Sequence, residues 1–211
     1  MNNAQEARCL LRAHRYGALS TLSQKFAGFP FGSITPYLVD HDGSLIILIS
    51  TLAEHTKNIQ ADNRVSLICH NQRDPHIQTQ GRVTVLGHAT RIDDKAQAGV
   101  RYLRYFPEAQ TYFEMHDFHF YRIQPHAIRY IGGFGRIHWV QMPNYAVPNA
   151  QEFVQQEAAK LAELNRQPDV LKLLLQKHHH VESSHPVAIG CDCDGIDIGS
   201  DGQVWRVDIA V

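Results

Sequence analysis

Apolar and polar residues recur along this chain with two periods, and the switches between them mark its elements. In residues 3–14, Ala7, Leu10, Leu11 and His14 fall at helical spacing and predict an N-terminal amphipathic helix. From Tyr16 the period drops towards two. Residues 16–22 predict a first strand, and 24–30 a turn-rich link. Residues 31–39 and 44–49 predict a hairpin around Asp42-Gly43, a strong two-residue turn signal. A short helix opens near Glu54-His55-Thr56, and strand character returns over 64–71. Residues 77–92 read as a strand pair or one bent strand, with Gly81 and Gly87 at the bends. Helical character over 94–105 stops at Pro107. Residues 119–131 read as strand interrupted at Gln124-Pro125, and Gly132-Gly-Phe-Gly135 as a tight bend before a strand over 136–140.

Met142-Pro-Asn-Tyr-Ala-Val-Pro148 reads as a linker. Beyond it, 150–164 and 169–177 predict amphipathic helices broken at Gln167-Pro168. Two closing strands, 187–193 and 204–211, carry turn signals at Asp194-Gly195 and Asp201-Gly202. Six or so strands with two small helices, in this order, describe a closed Greek-key barrel better than a parallel sheet. The expected fold class is therefore mainly β with a small α+β tail, divided into residues 1–143 and a helix-helix-hairpin domain over 144–211.

Composition narrows the function classes. With Lys+Arg 20 against Asp+Glu 21, the net charge of −1 gives no footprint for nucleic acid. No apolar run approaches the length that spans a bilayer, and the first residues lack a basic-then-apolar leader, so a cytoplasmic protein is expected. Cys9 and Cys69 sit in apolar patterns and read as buried thiols. Cys191 and Cys193 fall one residue apart on an expected strand, a spacing that suits neither a zinc knuckle nor a redox pair. Fourteen histidines are unusual. The run His178-His179-His180, with His185 nearby, fits either a polar helix end at the negative pole of the dipole or ligation of a metal or haem iron.

The stretch 44–67 concentrates the candidate chemistry. An apolar strand runs into Ser50 and Thr51, and a short helix follows with His55, Thr56 and Lys57 in its first turn. Hydroxyls, a His and unpaired backbone N–H groups at a strand-to-helix junction suit a phosphate. The same hydroxyls also serve as simple helix caps.

This stretch, together with Arg15-Tyr-Gly-Ala-Leu-Ser-Thr-Leu-Ser23, Gly28-x-Pro30-x-x-Ser33 and His116-Asp-Phe118 leading to Gly132-Gly-Phe-Gly-Arg136, resembles the pyridoxamine-phosphate-oxidase-like FMN-binding split barrels. The likeness is closest to their haem-utilisation branch, whose C-terminal extension the tail also resembles. It implies a homodimer with FMN between subunits, contacted by Ser33, Ser50, Thr51, His55, Thr56 and Asn58. Gln78 and Gln80 would reach the flavin ring from one strand face, unless that face is simply solvated. Ser33 and His55 stand where oxidases of this fold carry cations, so the phosphate site is poor in positive charge.

The branch also implies a rival reading, in which haem replaces flavin. Asp117 would then support haem, with His116, His119 and His126 near it and His178, His179 or His180 as axial candidates. A barrel that has lost its cofactor is a third possibility. True pyridoxamine-phosphate oxidase activity is not expected, because Arg136-Ile-His138 precedes a long tail instead of closing the chain. The spacing yields no Ser-His-Asp set and no paired carboxylates.

Overall fold

The computed structural model describes residues 2–71, 75–76, 78–133 and 135–208. It divides into two compact units, Asn2–Ala146 and Val147–Val211.

The first unit opens with helix α1 (Asn3–Ala13), started by the Asn2 side chain accepting from the N–H groups of Ala4 and Gln5. Strands β1 (Tyr16–Leu22), β2 (Pro30–Pro36), β3 (Leu38–Val39) and β4 (Leu45–Ser50) follow, then helix α2 (Glu54–Ala61). Next come β5 (Arg64–His70), β6 (Arg82–Arg91), α3 (Lys95–Tyr105), α4 (Gln110–Glu114), β7 (Phe118–Ile131), β8 (Ile137–Val140) and α5 (Met142–Tyr145). The strands form one antiparallel sheet in the order β2-β1-β5-β6-β7-β4-β3, with β8 added to β7. Its two edges, β2 and β3, are joined through Tyr37 alone. A sheet whose opposite edges meet through one residue has to curl onto itself, and this closes the barrel.

Alternation fills the inside. Leu19, Val65, Leu67, Cys69, Val83, Val85 and Ile128 point inward, and Ala4, Ala7 and Leu11 of α1 join the same core. Strand β4 departs from the alternation because both its faces are covered: Leu45, Ile47 and Ile49 enter the core, while Ile46 and Leu48 are buried as well. Tyr102, Phe106 and Phe120 stack close by, with ring centroids 4.6 and 5.1 Å apart.

Several expectations need correction. The predicted strand over 31–39 is two strands. Its first part pairs with β1 and only Leu38–Val39 pairs with β4, so the hairpin at Asp42-Gly43 is two pairs long. The expected strand over 77–92 begins at Arg82; residues 78–80 form a turn, and Ile77 lies outside the described residues. Pro125 does not interrupt β7, because the β6–β7 ladder slips by one residue there and spares a proline N–H. The bend over 132–135 is closed by the Gly132 N–H donating to the Arg136 carbonyl at 3.0 Å, with Phe134 outside the described residues. The linker's first half is the helical turn α5, whose Tyr145 is buried. The Tyr145 hydroxyl donates to the Gly43 carbonyl at 2.9 Å. Gly43 needs φ +87°, and a Cβ there would lie 2.8 Å from the Tyr145 ring.

The second unit has α6 (Ala150–Leu164), α7 (Pro168–His179) and three strands, β9 (Val187–Asp192), β10 (Gly195–Ser200) and β11 (Gln203–Asp208), paired antiparallel in the order β11-β10-β9. The middle strand β10 is absent from the expected elements. Asp194-Gly195 and Asp201-Gly202 carry the turn signals, and the six residues from Gly195 to Ser200 supply the missing strand. Residues 209–211 of the predicted last strand lie outside the described residues. Leu161, Leu171, Leu175, Ala188, Ile198 and Val207 form this unit's core. Beside them Arg206 is buried against Asp192 and Asp197 at 2.7 and 3.0 Å.

Candidate functional site

At the junction of β4 and α2, pairing decides which groups meet. Ser50 lies opposite Phe118 in the β4–β7 ladder, which sets it against Asp117. The Ser50 hydroxyl donates to the Asp117 carboxylate at 2.5 Å and accepts from the Leu52 N–H at 3.0 Å. The half-buried Thr51 donates its N–H to the Asp117 carbonyl at 2.8 Å. Ser50 therefore holds a carboxylate at the approach to the helix, a charge that opposes a phosphate.

Helix α2 itself starts without a side-chain cap at Ala53. Thr56 is fully buried, and its hydroxyl has no hydrogen-bond partner among the described residues. The same holds for the buried hydroxyl of Ser33 and for Nε2 of His55. Burial lowers the His55 pKa, so the ring is neutral at pH 7. Lys57 is half-exposed and 3.9 Å from Glu54. Asn58 is committed elsewhere: its amide donates to Thr21 Oγ1 at 3.0 Å and its carbonyl accepts from the Gln24 N–H at 2.9 Å. That pair of bonds ties α2 to β1 and to the loop after it.

Gln78 and Gln80 do not share a strand face. Gln78 is exposed in the turn before β6, whereas Gln80 is buried with its carbonyl 2.9 Å from His70 Nδ1. In the second unit, His179 Nε2 sits 2.7 Å from the Arg206 carbonyl and its ring lies 5.2 Å from that of Trp205. His180 ends α7 in the left-handed region at φ 55°, and His178 and His185 are exposed. His179 is thus engaged in packing its own unit. Asp192, Cys193 and Asp194 bring ligand atoms within 4.8 Å of one another, with Asp192 already bound to Arg206.

A second region lies on the outer face of the sheet. A groove of about 470 Å³ runs over β1, β5, β6 and β7, walled by Leu22, Pro30 and Leu86 and edged by Arg64, His88 and His126. The volume falls within the ~300–1,000 Å³ of small-molecule and cofactor sites. The rings of His88 and His126 meet edge to face with centroids 5.9 Å apart. Arg64 grips Asp62 and lowers its pKa to about 2, through side-chain and backbone hydrogen bonds; the nearby His88 adds a smaller pull. His116 and His119, by contrast, lie beyond the groove lining. Sequence reading named His126 only as a neighbour of Asp117 and missed His88 and Arg64. The ladder makes these two direct partners, and sequence spacing carries no signal of that.

Comparison with known proteins places these features in context. The family model described as "CREG, beta-barrel" matches residues 1–147. The chain is 40% identical over 135 residues to the chloroplastic non-canonical heme oxygenase HOZ of Arabidopsis thaliana, covering 63% of this chain and 41% of that protein. It thus spans about two-fifths of the length of this curated relative. A heme binding protein from Mycobacterium smegmatis superposes with TM-score 0.64 at 26% identity, covering 100% of this chain and 89% of the other. Atu2129 of Agrobacterium tumefaciens, of unknown function, shares the fold with TM-score 0.83 at 23% identity over 98% of this chain and 87% of its own. The barrel is of the split type seen in pyridoxamine-phosphate-oxidase-like proteins. No described helix is long and apolar enough to cross a membrane.

Proposed function

The chain belongs to the CREG β-barrel family, and on that footing we propose that it binds haem on its split barrel and takes part in haem degradation. The observation that carries this reading is the 40% identity to a haem oxygenase over 135 residues. The residues present fit the group: the outer groove has apolar walls for a flat macrocycle, imidazoles for iron and a guanidinium for a propionate. Bound haem would supply the iron and oxygen chemistry; the barrel would bind it, orient it and limit water.

FMN binding is the second reading, and one observation favours it. Ser33, His55 and Thr56, all expected flavin contacts, keep buried polar atoms without partners, and buried groups of that kind are normally satisfied. Against it stand the Asp117 carboxylate and the neutral His55. A homodimer belongs to either reading. A row running Ile34, Ala18, Ile68, Thr84, Arg129 and Trp139 crosses the outer sheet face by register, with Ile34 67% and Trp139 55% exposed. A second copy would cover it. A monomer by light scattering at micromolar concentration would remove that part.

Absorption spectra of the purified protein, with FMN and then with hemin, test the two cofactors. A shifted Soret band that survives gel filtration, with no retained flavin, is the expected result. Retained flavin with no Soret shift would transfer the function to an FMN oxidoreductase.

A further inference from the structure

The barrel sorts its own histidines. His14 and His41 are buried, His55 is half-buried in the first turn of α2, and His70 is tied to Gln80. His88 and His126 differ from these. Both are exposed at the edge of the outer groove, and neither imidazole is hydrogen-bonded among the described residues.

Their meeting is a product of the ladder. His88 lies directly across from Arg64 on β5 and from Gln124 on β7. Between Leu86 and Gly87 the β6–β7 pairing slips by one residue, and His126 is the residue left unpaired. The slip depends on Gly87, because a Cβ there would stand 2.4 Å from the Gln124 carbonyl oxygen. The bulge buries Pro125 and turns His126 outward, edge-on to His88.

We propose that His88 is the axial ligand to haem iron in this groove, with Arg64 meeting a haem propionate and His126 held edge-on beside the ligand. The assignment rests on the haem reading and deepens it. A porphyrin needs apolar walls, one imidazole directed at iron and a cation for its carboxylates, and the groove brings the three together. Between the two imidazoles, His88 is the one paired directly across the ladder with the groove's cation, Arg64. Asp62 accepts from Arg64 at 2.9 Å and so fixes the guanidinium at the position across the ladder from His88. His126, left unpaired by the bulge, has no such cross-strand cation.

The test uses the full chain titrated with hemin, read by Soret position and by electron paramagnetic resonance of the ferric state. His88→Ala is expected to weaken hemin by ~10-fold or more and to lose the imidazole-ligated signature, which added imidazole restores. His126→Ala should keep that signature. Arg64→Gln should weaken hemin and leave the hemin dimethyl ester unchanged, because only the free propionates need the guanidinium. All three side chains are exposed, and thermal melting confirms that each variant stays folded. If the wild type binds hemin and His88→Ala keeps both signature and affinity, the ligand assignment fails while the haem reading stands. If the wild type shows no Soret shift, both fail.

Discussion

Replacing Arg206 by Met is the sharpest test of how the second unit is held together. The guanidinium donates to Asp192 through both terminal nitrogens at 2.7 Å and to Asp197 at 3.0 Å, and its Nε reaches Asp208 at 3.1 Å. Side-chain exposure is 4% for Arg206, 1% for Asp192 and 3% for Asp197, so solvent screens this cluster very little. Burial alone would lower the Arg206 pKa; Asp197 and Asp192 more than reverse that, and the cation is held charged. Methionine keeps much of the volume and removes the cation from two buried carboxylates, at a cost of about 3–5 kcal/mol. A unit of Val147–Val211 has roughly 3–10 kcal/mol to lose. Urea unfolding followed by Trp205 fluorescence, in a Trp139→Phe background, reads this unit. At an m-value of about 1 kcal/mol per molar, the midpoint should fall by several molar or the transition should vanish. Adding Asp192→Asn and Asp197→Asn should recover much of the loss, since a buried pair replaced as a whole costs little. A change below ~1 kcal/mol in the single variant would show that the cluster is hydrated in solution, and the reasoning from burial would be wrong.

Asn58→Ala is expected to destabilise the barrel by about 1–3 kcal/mol, because the Thr21 hydroxyl and the Gln24 N–H lose their partner; an unchanged melting temperature would contradict the commitment of this amide. Asp117→Asn removes the negative charge beside Ser50 and should raise affinity for inorganic phosphate or FMN by about fivefold, for ~1 kcal/mol of relieved repulsion. Isothermal titration checks this, and hemin affinity should not follow. Asp40 gives a pH signature. Burial opposes its ionisation, but Arg122 at 2.8 Å and the nearby Arg101 win and hold its pKa below the ordinary carboxylate value. That stability is present at neutral pH and is lost as pH falls below about 4, through the lowered pKa. Arg122→Gln should therefore cost about 1 kcal/mol at pH 7, discounted for the part-exposed pair, and nearly nothing at pH 2. A cost that is the same at both pH values would rule the ion pair out as its cause.

Much of the architecture was legible in the residues. Inward alternation over 16–22, 64–70 and 82–91 and the helical spacing of 3–13, 95–105 and 150–164 are local signals, because burial on one face writes its period directly into the chain. The turn at Asp42-Gly43 was equally plain, since φ +87° asks for glycine. The split of 31–39 between two partners was not, because β2 and β3 have the same local character and differ only in which strand lies beside them. The strand between Asp194-Gly195 and Asp201-Gly202 was hidden for a related reason: Gly195-Ile-Asp-Ile-Gly-Ser200 is short and glycine-flanked, and becomes a strand through its two neighbours.

The candidate site divides in the same way. Residue types picked out His55 and Thr56 and the family resemblance added Ser33, and burial then left their polar atoms without partners. Pairing across the sheet decided the rest. It set Ser50 against Asp117, spent Asn58 on Thr21, and brought Arg64, His88 and His126 to one groove from three strands. By itself, the order of residues determined which segments would be strands and helices, since each signal is read within a few residues. Only the closed barrel decided which side chains meet, because residues distant along the chain become neighbours through strand register.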